Sequence, residues 1–303
     1  MTTSSQFTSQ RFVEILPALC TADTSADPVG WTPENPLWGH CAIAVALAHN
    51  IFGGTIIRVS LEGSEKYRYL GSYYYLVLPD GKVFDPTRGQ FGDDDPITGA
   101  PWMERKIEYV LDPNRYPQTV ERYQQLYFNL VKKLYGAPAI FDSEIYKHCF
   151  IVALGSGCKK MRFGSVIMDS TRIIAEAANT PLEPLAHLCE PTCIREGIIS
   201  RRESMIGACA HAEELAIDLA HARRAHLPSC DIYVAGFYPT GDTGPMTPWF
   251  KNAAEHSCLR CSTQMYRARL KRIYVPTTAG WLSLTPKEAC GISAQYALGE
   301  KSV

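Results

Sequence analysis

Two short motifs restrict this chain more than anything else in it: His211-Ala212-Glu213-Glu214 and, beyond a strand-like run, Cys258-Leu259-Arg260-Cys261. One histidine and two cysteines are donors that hold Zn²⁺ while leaving its fourth position open to water. Cys258 and Cys261 stand three residues apart, so their sulfurs share one face of a first helical turn. Glu213, two residues past His211, points elsewhere than the histidine and suits a proton shuttle better than a fourth ligand. A His-x-Glu followed by a Cys-x-x-Cys, each at a helix start, is the donor and acid set of hydrolytic nucleobase deamination. The expected chemistry is attack of a zinc-held hydroxide on the amidine carbon. Glu213 takes the water proton and returns protons to the ring nitrogen and the leaving ammonia. The bland alternatives are a purely structural zinc site, or a surface helix with buried cysteines nearby. A structural site wants a fourth ligand, and neither alternative needs Glu213.

Composition narrows the partners. A chain of 303 residues suggests two domains of ordinary size or one large one, and 46% hydrophobic against 20% charged residues predicts a packed core. With 30 basic and 31 acidic residues the net charge is −1, and no block of like charge stands out. This argues against a polynucleotide substrate without excluding one, because such a substrate favours a basic groove. The cluster Arg267, Arg269, Lys271 and Arg272 reads as the solvated C-terminal end of a helix. Met1 to Gln10 lacks an export signal, and no apolar run reaches the length of a membrane span, so the expected location is the cytoplasm with no membrane partner. Eleven cysteines in such a chain point to metal ligands and buried thiols rather than a disulfide framework.

The pattern predicts a short helix near Phe12–Cys20 and a buried helix over Ala42–Ala48 stopped by Gly53-Gly54. Strands follow at Thr55–Leu61, Tyr73–Leu78 and Lys82–Phe84, with Pro79-Asp80-Gly81 turning a hairpin, then a helix over Tyr116–Leu134. A second unit follows Gly136-Ala137-Pro138. It has a helix at Ser143–Leu154, a hairpin of Val166–Met168 and Ile173–Ala175 turning at Asp169-Ser170, and a loop over Thr180–Gly207. A helix at Cys209–Arg224, a strand at Asp231–Phe237, a Pro/Gly-rich loop over Tyr238–Pro248, a helix at Cys258–Leu270, a strand at Arg272–Val275 and a closing helix at Pro286–Leu298 complete it. Alternation of strands and helices implies an α/β layered fold, with domains at 1–138 and 139–303.

The stretches Arg162–Met168, Ile174–Asn179, His211–Ile217 and Cys258–Cys261 together resemble the cytidine and deoxycytidylate deaminase superfamily, most closely its deoxycytidylate branch. The resemblance implies an α/β/α three-layer sandwich, zinc held by His211, Cys258 and Cys261, and Glu213 as acid/base. It further implies Asn179 as a substrate contact, a cytosine-containing nucleotide or nucleoside of the dCMP type as substrate, and a homo-oligomer. A base in nucleic acid, another amino-purine or pyrimidine metabolite, and a non-catalytic binding or regulatory protein on the same fold stay open. The chain departs from the family at Ser257, where proline is usual, and in the long Tyr238–His256 connection, where His256 is a candidate pocket residue. Some relatives of this kind hold a second, structural zinc, for which Cys158, His187, Cys189 and Cys193 are the candidates.

In the first half, Gly39-His40-Cys41-Ala42, Phe52-Gly53-Gly54 and Leu78–Phe91 resemble the YunG-like family, which implies a papain- or transglutaminase-like α+β domain. A cysteine at a helix start is a nucleophile position, since the helix dipole favours thiolate. Cys41 and Asp85 match that pattern, but the expected histidine is replaced by Tyr73 in Gly71-Ser72-Tyr73-Tyr74. The site therefore reads as a vestigial, non-catalytic thiol centre.

Overall fold

The computed structural model describes residues 7–112, 114–190, 192–196, 207–241, 244–250 and 258–298. The chain forms two compact units, one comprising residues 1–136 and 242–245 and the other 137–241 and 246–303.

The first unit opens with α1 (Ser9–Ile15), capped by Thr8, whose hydroxyl accepts the Arg11 N–H at 3.1 Å. Its centre is α2 (Cys41–Phe52). Every residue from Ile43 to Ala48 is buried, as an alanine-rich helix apolar on all sides must be. Gly39, at φ 76°, precedes this helix, and a Cβ there would lie 2.3 Å from Ser25 Oγ. Against α2 lies an antiparallel sheet of β1 (Thr55–Ser60), β2 (Ser72–Val77), β3 (Val83–Phe84) and β4 (Trp102–Arg105), in the order β3-β2-β1-β4. After the short α3 (Ile107–Val110), α4 (Pro117–Tyr135) starts with proline at its first position. It turns Tyr123, Leu126, Tyr127, Leu130 and Val131 inward at helical spacing to pack on α2.

In the second unit the elements are α5 (Glu144–Leu154), β5 (Arg162–Asp169), β6 (Arg172–Ala178), β7 (Thr180–Pro181), β8 (Cys209–Ala210), α6 (Ala212–Ala222), β9 (Asp231–Gly241), β10 (Gly244–Pro248), α7 (Leu259–Arg267), β11 (Arg272–Thr277), β12 (Gly280–Leu284) and α8 (Pro286–Leu298). The main sheet runs β12-β11-β9-β5-β6, with β10 also pairing β9. β9 and β11 are parallel, as strands joined through a helix usually are, and the other pairs along that order are antiparallel.

Strand alternation divides the helices between the two faces. Ile167 of β5 and its partner Ile232 of β9 share a core with Ala216 and Ile217 of α6, Met265 of α7 and Ala289 of α8. On the other face Phe237 stacks on Phe150 of α5, with centroids 4.6 Å apart. Gly164 of β5 lets α5 approach: a Cβ there would sit 2.0 Å from the Cys149 carbonyl oxygen. The result is an α/β/α three-layer sandwich with α6 and α7 side by side on one face.

Several elements differ from the sequence reading. The helix expected from Cys209 begins at Ala212, because Cys209–Ala210 pairs with Thr180–Pro181 and His211 keeps extended backbone (φ −82°, ψ 152°). The stretch expected as loop after Thr180 therefore contains β7 and a 3₁₀ helix at Glu183–Cys189. The Pro/Gly-rich stretch from Tyr238 is an extension of β9 followed by β10. The hairpin of β5 and β6 turns where expected, with Ser170 at φ 56°. β4 and β12 are strands the pattern did not single out. Among the described residues no helix is long and apolar enough to cross a membrane.

Candidate metal centre

α6 and α7 present their N-terminal ends to one point. His211 is the N-cap of α6, Cys258 is the N-cap of α7, and Cys261 lies one turn into α7. His211 Nδ1 is 3.1 Å from Cys261 Sγ and 3.4 Å from Cys258 Sγ, and the two sulfurs are 3.4 Å apart. Among the described residues this is the one group of three or more such side chains with ligand atoms all within 4.8 Å of one another. Two sulfurs and an imidazole nitrogen converging at such separations fit a Zn²⁺ ion with one position left open.

The electrostatics favour a charged donor set. Cys258 Sγ caps α7 by accepting the Cys261 N–H at 3.4 Å, where the helix dipole stabilises negative charge. A hydrogen bond from the Cys261 thiol, opposed by burial and reinforced by His211, holds the Cys258 thiol down to about 4. Burial, with Cys258 beside it, pushes Cys261 well up. His211 is raised: burial works against the cation, but the Cys258 sulfur outweighs it.

Glu213, 7% exposed, lies beside this cluster and outside the three-donor set. Burial raises its carboxyl, against the opposing charge of His211 and a hydrogen bond from Cys261.

Glu214 and Arg260 carry a role the motif reading did not separate. Glu214, 4% exposed, accepts the His211 N–H at 3.1 Å through Oε2. It also pairs with Arg260 in a two-point contact, Nη2 to Oε2 at 2.6 Å and Nε to Oε1, and Gln264 Nε2 reaches Oε1 at 3.4 Å. Arg260 stands between the two cysteines in sequence, so this carboxylate ties the histidine end of the site to the cysteine end. The signal was half present: an acid three residues after a helix cap is the capping-box pattern, but nothing local names its partner across the helices.

The other sequence candidates fall in different places. Asn179 follows β6 and is buried. Its Oδ1 accepts from Phe163 N at 2.7 Å and Ser156 Oγ at 2.9 Å, and its Nδ2 donates to Met161 O at 2.9 Å. Its amide thus fastens the loop before β5 and keeps one N–H in reserve.

Of the four residues considered for a second zinc, Cys158, Cys189 and Cys193 are buried and all lie near Cys209, though not with ligand atoms all within 4.8 Å of one another, and His187 is exposed. A buried guanidinium, that of Arg195, lies against Cys158 and Cys193, with Nη2 4.0 Å from Cys158 Sγ. Ser257 and His256 lie outside the described residues. Trp249, in the same connection, meets Phe163 edge-on at 5.0 Å.

In the first unit Cys41 does head its helix, and Tyr73 lies near it. Tyr73 Oη donates to Asp85 and lies 3.1 Å from Thr87 Oγ1. Burial, with Asp85 nearby, pushes the Cys41 thiol up to about 11. His40 is turned away: its Nδ1 meets the Trp38 carbonyl at 2.9 Å and its Nε2 meets Thr24 Oγ1 at 2.8 Å.

Fold and site together define a zinc-binding deaminase-type domain preceded by a separate α+β unit. Residues 140–277 match the family model of the cytidine and deoxycytidylate deaminase zinc-binding region, and residues 8–135 match that of the YunG protein. No curated protein matches the chain. The chain thus joins a YunG-type domain to a deaminase domain whose cofactor is zinc.

Proposed function

We propose that the second unit catalyses hydrolytic deamination of a cytosine-containing nucleotide, dCMP being the best single candidate. The observation that carries this reading is a buried carboxyl group, Glu213, set beside three convergent donors but outside their set. His211, Cys258 and Cys261 would hold the metal. Zinc, when bound, supplies the Lewis acidity that makes water nucleophilic near neutral pH.

Glu213 accepts a proton from the attacking water and delivers it to the pyrimidine ring nitrogen. It then passes the second proton to the departing amine, so that water and cytosine leave as uracil and ammonia. A carboxyl raised by burial is suited to holding and returning that proton, because its protonated and ionised forms lie closer in energy than those of a solvated acid. The remaining N–H of Asn179 is available to substrate, while its other contacts hold the loop before β5 in place.

Ammonia release from cytidine, deoxycytidine, CMP, dCMP, dCTP and single-stranded DNA tests the substrate. Turnover centred on dCMP supports the proposal. Turnover of the nucleosides or DNA in preference to dCMP overturns the substrate assignment, and turnover of none overturns the activity.

A further inference from the structure

The first unit holds a cavity that deamination does not use. About 280 Å³ opens beside the start of α2, lined among others by Cys41, Arg58, Ser72, Tyr74, Gln90 and Phe91. Arg58, on β1 and half-buried, is the one charged side chain on this wall. Among the described residues its guanidinium has neither a carboxylate partner nor a hydrogen bond to any acceptor.

A second guanidinium, that of Arg122, stands behind the wall. It donates to Thr119 Oγ1 at 3.0 Å and to the Thr24 carbonyl at 3.5 Å, again with no carboxylate, and its charge reaches Cys41. Asp85 is not on this wall, and its carboxylate already accepts from Tyr73. The N-terminus of α2 adds further positive potential, because no side chain caps it.

Partly burying a guanidinium without a counter-charge is unfavourable, and a second positive charge behind the same wall adds to the cost. The cavity has room for on the order of nine water-sized volumes, and Leu70, Phe91 and Val110 give it apolar sides. We propose that this cavity binds a small molecule bearing one oxyanion group, a carboxylate or a phosphate, on a flat apolar body, with Arg58 as the anion's direct partner. Tyr73 in the place of a base leaves the adjoining thiol to line the site rather than to attack the ligand.

Cys41 reports on occupancy, since it lies on the wall. Its alkylation in the full-length chain is followed by peptide mass spectrometry at about pH 9, where some thiolate forms. Iodoacetate carries a carboxylate and iodoacetamide does not; each loses iodide to the same sulfur. Arg58→Gln is expected to lower the iodoacetate-to-iodoacetamide rate ratio about fivefold, and Arg58→Lys to restore most of it.

Benzoate or phenyl phosphate at about 10 mM is expected to slow alkylation of the unaltered protein, whereas benzamide does not. The stronger protector of the two identifies carboxylate or phosphate as the preferred group. An unchanged rate ratio in Arg58→Gln, equal protection by benzamide, or no protection by either anion overturns the proposal. The benzoate–benzamide contrast decides the matter alone if Arg58→Gln does not fold.

Discussion

Single side chains decide which of the two candidate centres is chemically competent. Cys41 has the helix start that a nucleophile needs but, among the described residues, no imidazole facing it, and burial pushes its thiol up to about 11. Tyr73→His should restore a base between Cys41 and Asp85. We expect the variant to be alkylated by iodoacetamide at neutral pH at least about tenfold faster than the unaltered protein, read at Cys41 by mass spectrometry. No acceleration would mean that the tyrosine is not what silences the thiol.

His40 offers a second test at this scale. Burial lowers it from 6.5 to about 4, so the folded chain holds it neutral while the unfolded chain protonates first. The stability it contributes is fully present above pH 6.5, is lost as pH falls through the window down to about 4, and is level below that. The loss is on the order of 3 kcal/mol, seen as a falling urea midpoint, and His40→Gln should flatten that slope. An equally steep slope in the variant would assign the acid sensitivity elsewhere.

At the scale of elements, the metal centre is a property of two helix starts and the carboxylate between them. Arg260→Leu leaves all three donors in place but strips Glu214 of its bidentate partner. Loss of such a supporting contact should weaken zinc binding by about 10- to 100-fold, measured by competition with a chromophoric chelator. Unchanged affinity would show that the pair does not support the metal site. Gly164→Ala tests the sandwich itself, since its Cβ would meet the Cys149 carbonyl. A cost of about 1–3 kcal/mol in chemical denaturation is expected.

These elements were unequally legible in the sequence. The ligands and Glu213 stand out because the chemistry needs those residue types at fixed short spacings. β4 gave no alternation because Trp102, Met103 and Glu104 are all exposed on an edge strand. β10 was masked by two prolines, which an edge position tolerates but a periodicity rule reads as loop. The start of α6 was displaced because β8 is recognised only through its partner β7. The Glu214–Arg260 pair and the Arg58 cavity are likewise products of tertiary placement that no local pattern encodes.

For the molecule as a whole, two units with separate cores should respond separately to metal. Removing zinc with dipicolinate should lower one calorimetric transition and leave the other in place, because a ligand stabilises only the fold that binds it. A single transition moving as one would contradict that independence.

The central claim is that Glu213 moves protons and does not hold the metal. Zinc content and dCMP turnover of the Glu213→Gln variant, measured on the same preparation, address it directly. One equivalent of zinc should be retained while turnover falls by at least about a thousandfold. Loss of zinc along with turnover would make Glu213 a ligand, and retained turnover would remove it from the chemistry.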